Sequence, residues 1–345
     1  AFFLLSRLEE LVVPERDAHD RFPSARSALA AADAVDRPLA DEYVDLLGAA
    51  MQAVWPDIEL PAPTLRIQPS HDVDAAWAAF ELPARELPLT LAGDWRRVGA
   101  RMAKARLCSW LRSRRGRPIG DPFDTYDFLM DTSERHGLRS TFYFMAVNDP
   151  ASLDGRYRIE DPILARVLRR IRDRGHRVGL HGGYDSYRSA SRLRDELARL
   201  VAACRRAGVE QADWPIRQHY LRFSYPETWR AQEAVGIHDD STLGWADTVG
   251  LRAGTAHPYQ VFDVLERRVL RLVEHPLAVM DATLFSYLHL DPSAAAHRAM
   301  DLVTACRPFG GEAVVLYHNS YPIGPLERAH YRTLIGGLVG QGTRG

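Results

Sequence analysis

The chain has 345 residues, enough for one large domain or for a large domain with an appendage. A hydrophobic share of 46% and a charged share of 26% exclude disordered and fibrous classes. The formal net charge of −1 gives no global attraction for nucleic acid, and the basic residues are nearly all arginine, Lys104 being the only lysine.

The opening AFFLLSRLEE reads as an amphipathic helix with Phe2, Leu5, Leu8 and Val12 near one face. Acidic residues follow it and no small-residue cleavage site appears, so it is not read as a signal peptide. The chain lacks an initiator Met, which leaves an upstream signal or domain open. Residues up to about Ile58 read as helical, with a second helix from Leu39 to Trp55 whose apolar stripe is Val44, Leu47, Met51 and Val54. The segment Leu60-Pro61-Ala62-Pro63 breaks that pattern. A boundary is expected there, with an N-terminal helical region over 1–62, as if ending a truncated upstream domain, and a catalytic domain over 63–345.

Beyond the boundary, strands and helices alternate. Leu65 to Asp74 is a strand that ends in SHDVD, and STFYFMA from Ser140 to Ala146 is β-branched and aromatic. Asp161-Pro162 opens a helix with the stripe Ile163, Leu164, Val167, Leu168 and Ile171, and Gly175 closes it. Short strands are expected at Arg177 to Leu180, Ile216 to Phe223, Val269 to Val273 and Ala313 to Tyr317, with a helix from Ser191 to Ala207. Such alternation argues for an α/β fold with a parallel sheet or barrel, which gathers its chemistry at the C-terminal ends of strands.

A long insertion from Ala75 to Arg139 contains RMAKARLCSWLRSRRGR, a basic helix with Trp95, Val98, Met102 and Leu111 as apolar contacts. It is expected to pack its apolar side and solvate its charges, with contact to a membrane surface or polyanion as the alternative. No apolar run is long enough to span a membrane. Cys108, Cys204 and Cys306 are odd in number and far apart, matching neither a disulfide framework nor a zinc knuckle. A reducing, cytoplasmic setting is expected.

Polar residues gather at the strand ends. Asp72 and Asp74 are two apart, so a strand turns both to one face, and adjacent carboxylates repel unless they share a cation or a proton. His181 and Asp185 lie in GHRVGLHGGYDS, Arg217 and His219 in RQHY, Asp240 in DDST and His318 in LYHNS. A lone histidine is more often structural than catalytic. Five polar strand ends in order argue for a shared pocket.

The order SHDVD, STFYF, GHRVGLHGGYDS, RQHYLRF, DDSTLGWAD and LYHNS resembles the NodB-type polysaccharide deacetylases, carbohydrate esterase family four. The likeness is strongest to a bacterial branch with a THDVD-like first motif, a GLRAGT-like stretch at Gly250 to Thr255, an E-x-P-L segment at Glu274 to Leu277 and an upstream region like FFLLSRLEE. Its members are similar to proteins of surface-polysaccharide biosynthesis.

The resemblance implies a distorted (β/α) barrel with an N-terminal helical appendage. It also implies a divalent metal ion, zinc above all, and an acetylated carbohydrate as substrate. Asp72 is then the general base, Asp74 and His181 bind the metal, Arg217 holds Asp72, Asp240 orients His318, and His318 is the general acid. Tyr220, Arg252, Trp245 and Glu274 are the expected substrate contacts. The sequence departs from the family in three places. Asp185 stands where a second metal histidine is usual, making it the expected third ligand with His219 as rival. Gln218 and His219 replace a proline-rich third motif. The DVD of the first motif also occurs in relatives that hydrolyse cyclic amides. A cyclic-amide hydrolase and a catalytically silent sugar-binding protein are therefore the alternatives to a sugar deacetylase.

Overall fold

A computed structural model describes residues 1–80, 82–97, 99–113, 118, 120–147 and 153–340. Among these, nine strands form one curled sheet: β1 Leu65–Val73, β2 Thr141–Met145, β3 Arg177–Gly182, β4 Ile216–Gln218, β5 Asp239–Asp240, β6 Tyr259–Asp263, β7 Arg268–Glu274, β8 Leu277–Met280 and β9 Gly311–Leu316. The sheet order is β6-β7-β5-β4-β3-β2-β1-β9-β8. Every described pairing is parallel except that of β6 with β7. The two ends of that order are not joined, so the sheet is a half-barrel rather than a closed ring. Parallel strands need crossovers, and their helices bury both faces. β2 is accordingly buried at every position.

The helix Pro162–Asp173 shows how the local signals work. The Asp161 carboxylate accepts the Ile163 N–H at 2.7 Å, proline occupies the first turn, and Leu164, Val167, Leu168 and Ile171 are buried. Each such side chain contributes about 1.5–3 kcal/mol of burial. Cys204 and Cys306 are buried free thiols whose pKa burial pushes up to about 12.

Several expectations need correction. The first helix is two short ones, Phe2–Leu5 and Leu8–Val12, broken at Arg7, whose φ is 52°. The expected strand at Ile216 stops at Gln218, where His219–Leu221 forms a tight helical turn. β5, β6 and β8 were not anticipated. Helix Leu39–Val54 forms, but Val44, Leu47, Met51 and Val54 on its stripe are exposed, and the first three line a cavity of about 880 Å³ together with Leu60 and Phe309. Val98, Arg114 and Arg115 of the basic segment lie outside the described residues.

The N-terminal segment is bound tightly to the sheet layer. Arg7 is fully buried and donates to Glu9 and Glu10. Glu10 in turn accepts two hydrogen bonds from Arg252, at 2.9 and 2.7 Å. Burial alone would raise the Glu10 pKa, but Arg252 and Arg7 hold it below the usual carboxylate range. Backbone bonds join Ala40 to Gly254 at 2.8 Å and Leu251 to Val35 at 2.9 Å.

Candidate active site

The C-terminal ends of β1, β3, β4, β8 and β9 face one cavity of about 200 Å³. Asp74 follows β1, His181 lies at the end of β3, and His219 follows β4. One ligand atom from each lies within 4.8 Å of the other two. The ring orientations follow from their second partners. His181 Nδ1 lies 2.8 Å from the Arg217 carbonyl, which can only accept, so this nitrogen carries the proton. His219 Nδ1 lies 2.7 Å from Asp154 Oδ1 and donates to it. Both Nε2 atoms therefore face Asp74 Oδ1, at 3.2 and 3.8 Å.

Asp74 Oδ1 is buried and has no hydrogen-bond partner among the described residues. Two imidazole lone pairs and a carboxylate oxygen converging without a donor fit a divalent cation. Without a cation the crowding favours a second proton on the His181 ring. Burial lowers the His181 pKa, but Asp72 and Asp74 raise it above the usual value. Metal binding would then displace a proton.

Asp72 faces the same cavity. Its Oδ1 accepts from Arg217 at 2.8 Å, and the same guanidinium nitrogen reaches the Ser70 hydroxyl at 3.0 Å. Alternation along β1 puts Ser70 and Asp72 on one face, while His71 lies opposite, neutral and packed on Phe142. Arg217 is fully buried and lies 4.5 Å from the Tyr143 ring centroid. Gly179 makes room for that ring, since a Cβ there would stand 2.5 Å from it.

β8 and β9 pair Met280 with Leu316, so Asp281 and His318 leave the sheet side by side. His318 Nδ1 donates to Asp281 Oδ1 at 2.6 Å, and the His318 backbone N–H donates to Oδ2 at 2.8 Å. Burial opposes a charge on His318, but Asp281, Asp74 and Asp72 push its pKa up to about 10. The imidazolium therefore keeps its proton at neutral pH, with Nε2 turned to Asp74 Oδ2 at 3.6 Å.

Asp72, Asp74, His181, Arg217, His219, Tyr220 and His318 thus come together at or just behind the cavity, and other expected site residues do not. Asp185 is largely exposed and pairs with Arg222 at 3.1 Å, because the chain turns away after Gly183. Asp240 does not touch His318. It is buried beside Glu274 across β5 and β7 and accepts from Thr242. Glu274 accepts from the Leu243 N–H and the Trp229 ring N–H. Arg252 is committed to Glu10, and Trp245 is buried near Arg252 and Phe22.

Three functional residues escaped the sequence reading. Asp281 follows the apolar strand LAVM, a strand-end acid like the others, and could have been found. Asp154 lies in a loop without periodicity. Arg21 comes from the N-terminal segment: it pairs with Asp17 at 2.8 Å, donates to the Tyr220 carbonyl at 3.2 Å and reaches the Tyr287 hydroxyl at 3.1 Å. Tyr220 and Leu221 have φ of 60° and 55°, a left-handed pair uncommon outside glycine, and Arg21 braces that turn beside His219.

A curled α/β half-barrel with polar strand ends around one cavity defines the polysaccharide-deacetylase fold, and this chain has it. Of the solved structures, a protein assigned as a polysaccharide deacetylase from Mycobacterium smegmatis matches at TM-score 0.52 and 19% identity, over 82% of this chain and 86% of the other. A pseudoenzyme of the CE4 family from Bacillus anthracis matches at TM-score 0.41 and 12% identity, over 81% and 63%. A polysaccharide deacetylase from Bacillus cereus matches at TM-score 0.35 and 12% identity, over 81% and 89%. Residues 1–56 match a family model described as a family of unknown function, DUF7033. No curated protein matches the chain.

Proposed function

We propose that the protein is a metal-dependent hydrolase that removes an acetyl group from an N-acetylated sugar or glycan precursor. The observation that carries this reading is the convergence of Asp74, His181 and His219 between a charge-held carboxylate, Asp72, and a charged histidine, His318. The donor set of two imidazoles and one carboxylate suits zinc. A divalent ion held there would polarise an acyl carbonyl and ease deprotonation of water.

The chain's own residues then divide the work. Asp72, fixed by Arg217, accepts a proton from the attacking water. An amine is a poor leaving group until protonated, and His318, oriented by Asp281, holds the proton it needs. The C–N bond breaks, the water oxygen goes to acetate, and the amine leaves neutral. Tyr220 and Tyr287 line the same cavity and offer a sugar ring aromatic faces.

The test is metal analysis of the purified chain followed by an acetate-release screen on N-acetylated sugars and on cyclic ureides. Stoichiometric divalent metal and acetate release are expected. Ureide hydrolysis alone would assign the site to cyclic amides. Absence of metal binding and of turnover would leave a sugar-binding protein.

A further inference from the structure

Helices Leu87–Arg97 and Ala100–Ser113 form a hairpin inserted between β1 and β2. Its inner side is settled: Leu87 and Met102 are buried, and buried Arg106 grips Asp94 through two nitrogens. Its outer side is not. Leu89 is 81% exposed, Trp95 67% and Leu111 57%. Arg96, Arg101, Lys104 and Arg112 lie exposed among them, with no ion pair among the described residues. The hairpin's two described acids, Glu86 and Asp94, are both paired, to Arg156 and Arg106. The outer face is thus apolar and cationic, with no exposed acid among the described residues.

A second exposed apolar face provides the contrast. Helix Leu39–Val54 shows Val44, Leu46, Leu47 and Val54 to solvent, but its ionisable groups are all acidic, including exposed Asp45. Both faces expose apolar side chains, but with opposite charge they cannot favour the same surface.

We infer that the hairpin's outer face docks on the surface of an anionic lipid bilayer. Leucine side chains and a tryptophan ring suit the acyl and headgroup boundary, and flanking cations suit its negative potential. Contact is peripheral, since no described helix is long and apolar enough to cross a membrane. The hairpin's other side gives the position meaning. Leu82, Glu86, Thr90 and Arg106 wall a cavity of about 380 Å³ that reaches Asp74. Docking would set that opening beside the headgroups, where a lipid-linked acetylated sugar would present its head. This last point alone rests on the deacetylase reading.

The full chain is to be sedimented with phosphatidylcholine vesicles and with vesicles in which about three-tenths of the lipid is phosphatidylglycerol. Binding to the second set only, at low salt, and release at about half-molar salt are expected. Reversing Arg101, Lys104 and Arg112 to Glu should weaken partition about a hundredfold, at roughly fivefold per cation. Trp95→Ser with Leu111→Ser should weaken it at least about tenfold. Val44→Ser with Leu47→Ser should leave it unchanged. All these positions are exposed, and circular dichroism checks that each variant is folded. No binding by the unaltered chain at low salt overturns the inference. So does binding that the serine variant does not weaken while duplex DNA binds equally well, which would mark a general polyanion face.

Discussion

Asp72 with Asp74 at the end of β1, and Asp240 with Glu274 on β5 and β7, are two crowded carboxylate pairs of one sheet, and they relieve the crowding in opposite ways. The first opens to a cavity and is balanced by Arg217 and three histidines. The second is sealed: neither residue is accessible, and burial, then mutual repulsion, raises Glu274 well above the carboxylate range. That pair keeps a proton between its members. A carboxylate at a strand end therefore signals chemistry only if something charged can reach it.

The largest effect expected from this difference is at the open pair. Asp74→Ala and His219→Ala should each lose metal and turnover together, by at least about a thousandfold in activity, as read by metal content and acetate release. Metal retained in full by His219→Ala would return the third position to another residue. Next comes His318→Ala, expected to cost about a hundredfold or more on an acetamide and much less on an aryl acetate, whose leaving group needs no proton. Asp281→Asn should follow the same split at smaller size. Asp240→Asn should not, which separates the partner seen in the structure from the one expected from sequence.

The sealed pair should answer in stability instead. Glu274→Ala strands the Leu243 and Trp229 donors and leaves a void, so urea unfolding should show a loss of about 2–4 kcal/mol with metal content unchanged. Glu274→Gln should lose less, about 1–2 kcal/mol, because its single amide oxygen keeps one of these two donors and strands the other. A large loss of turnover in folded Glu274→Gln would break the comparison.

Much of the open site was legible because strand alternation and strand ends are local signals. Asp72, Asp74, His181 and His318 could be read from a few residues each. Asp185 could not be placed, because spacing from His181 says nothing of the turn at Gly183 or of Arg222, 37 positions away, which draws the carboxylate outward. His219 stood only as the rival, although it shares with Arg217 a stretch that points into the pocket. Arg21 and Asp154 come from segments without periodicity and were invisible. Arg252, Trp245 and Glu274 sit in matching stretches, yet their packing partners decide that they serve the scaffold.

A smaller effect concerns a third set of carboxylates, Asp239 and Glu312, which flank His275. Burial lowers the His275 pKa, but Asp239 and Glu312 push it up to about 9. A raised folded pKa stabilises fully below the unfolded value of about 6.5 and loses that contribution as pH rises through about 9. Stability should fall by about 1–3 kcal/mol across that window, and His275→Asn should flatten the slope in urea titrations at several pH values. The smallest effect expected is at Asp185→Ala, with full metal content and a stability change within about 0.5 kcal/mol.

Arg7, Glu10 and Arg252 form a ladder across the seam between the N-terminal segment and the sheet. Removing one rung would strand buried charge, which is far costlier than losing the whole set. Descent is constrained accordingly. A recombination that replaced the N-terminal helices would have to import Arg7 and Glu10 with them, or lose Arg252 in the same event. The seam works against shuffling, so lineages that keep the sheet with Arg252 should also keep its N-terminal partner.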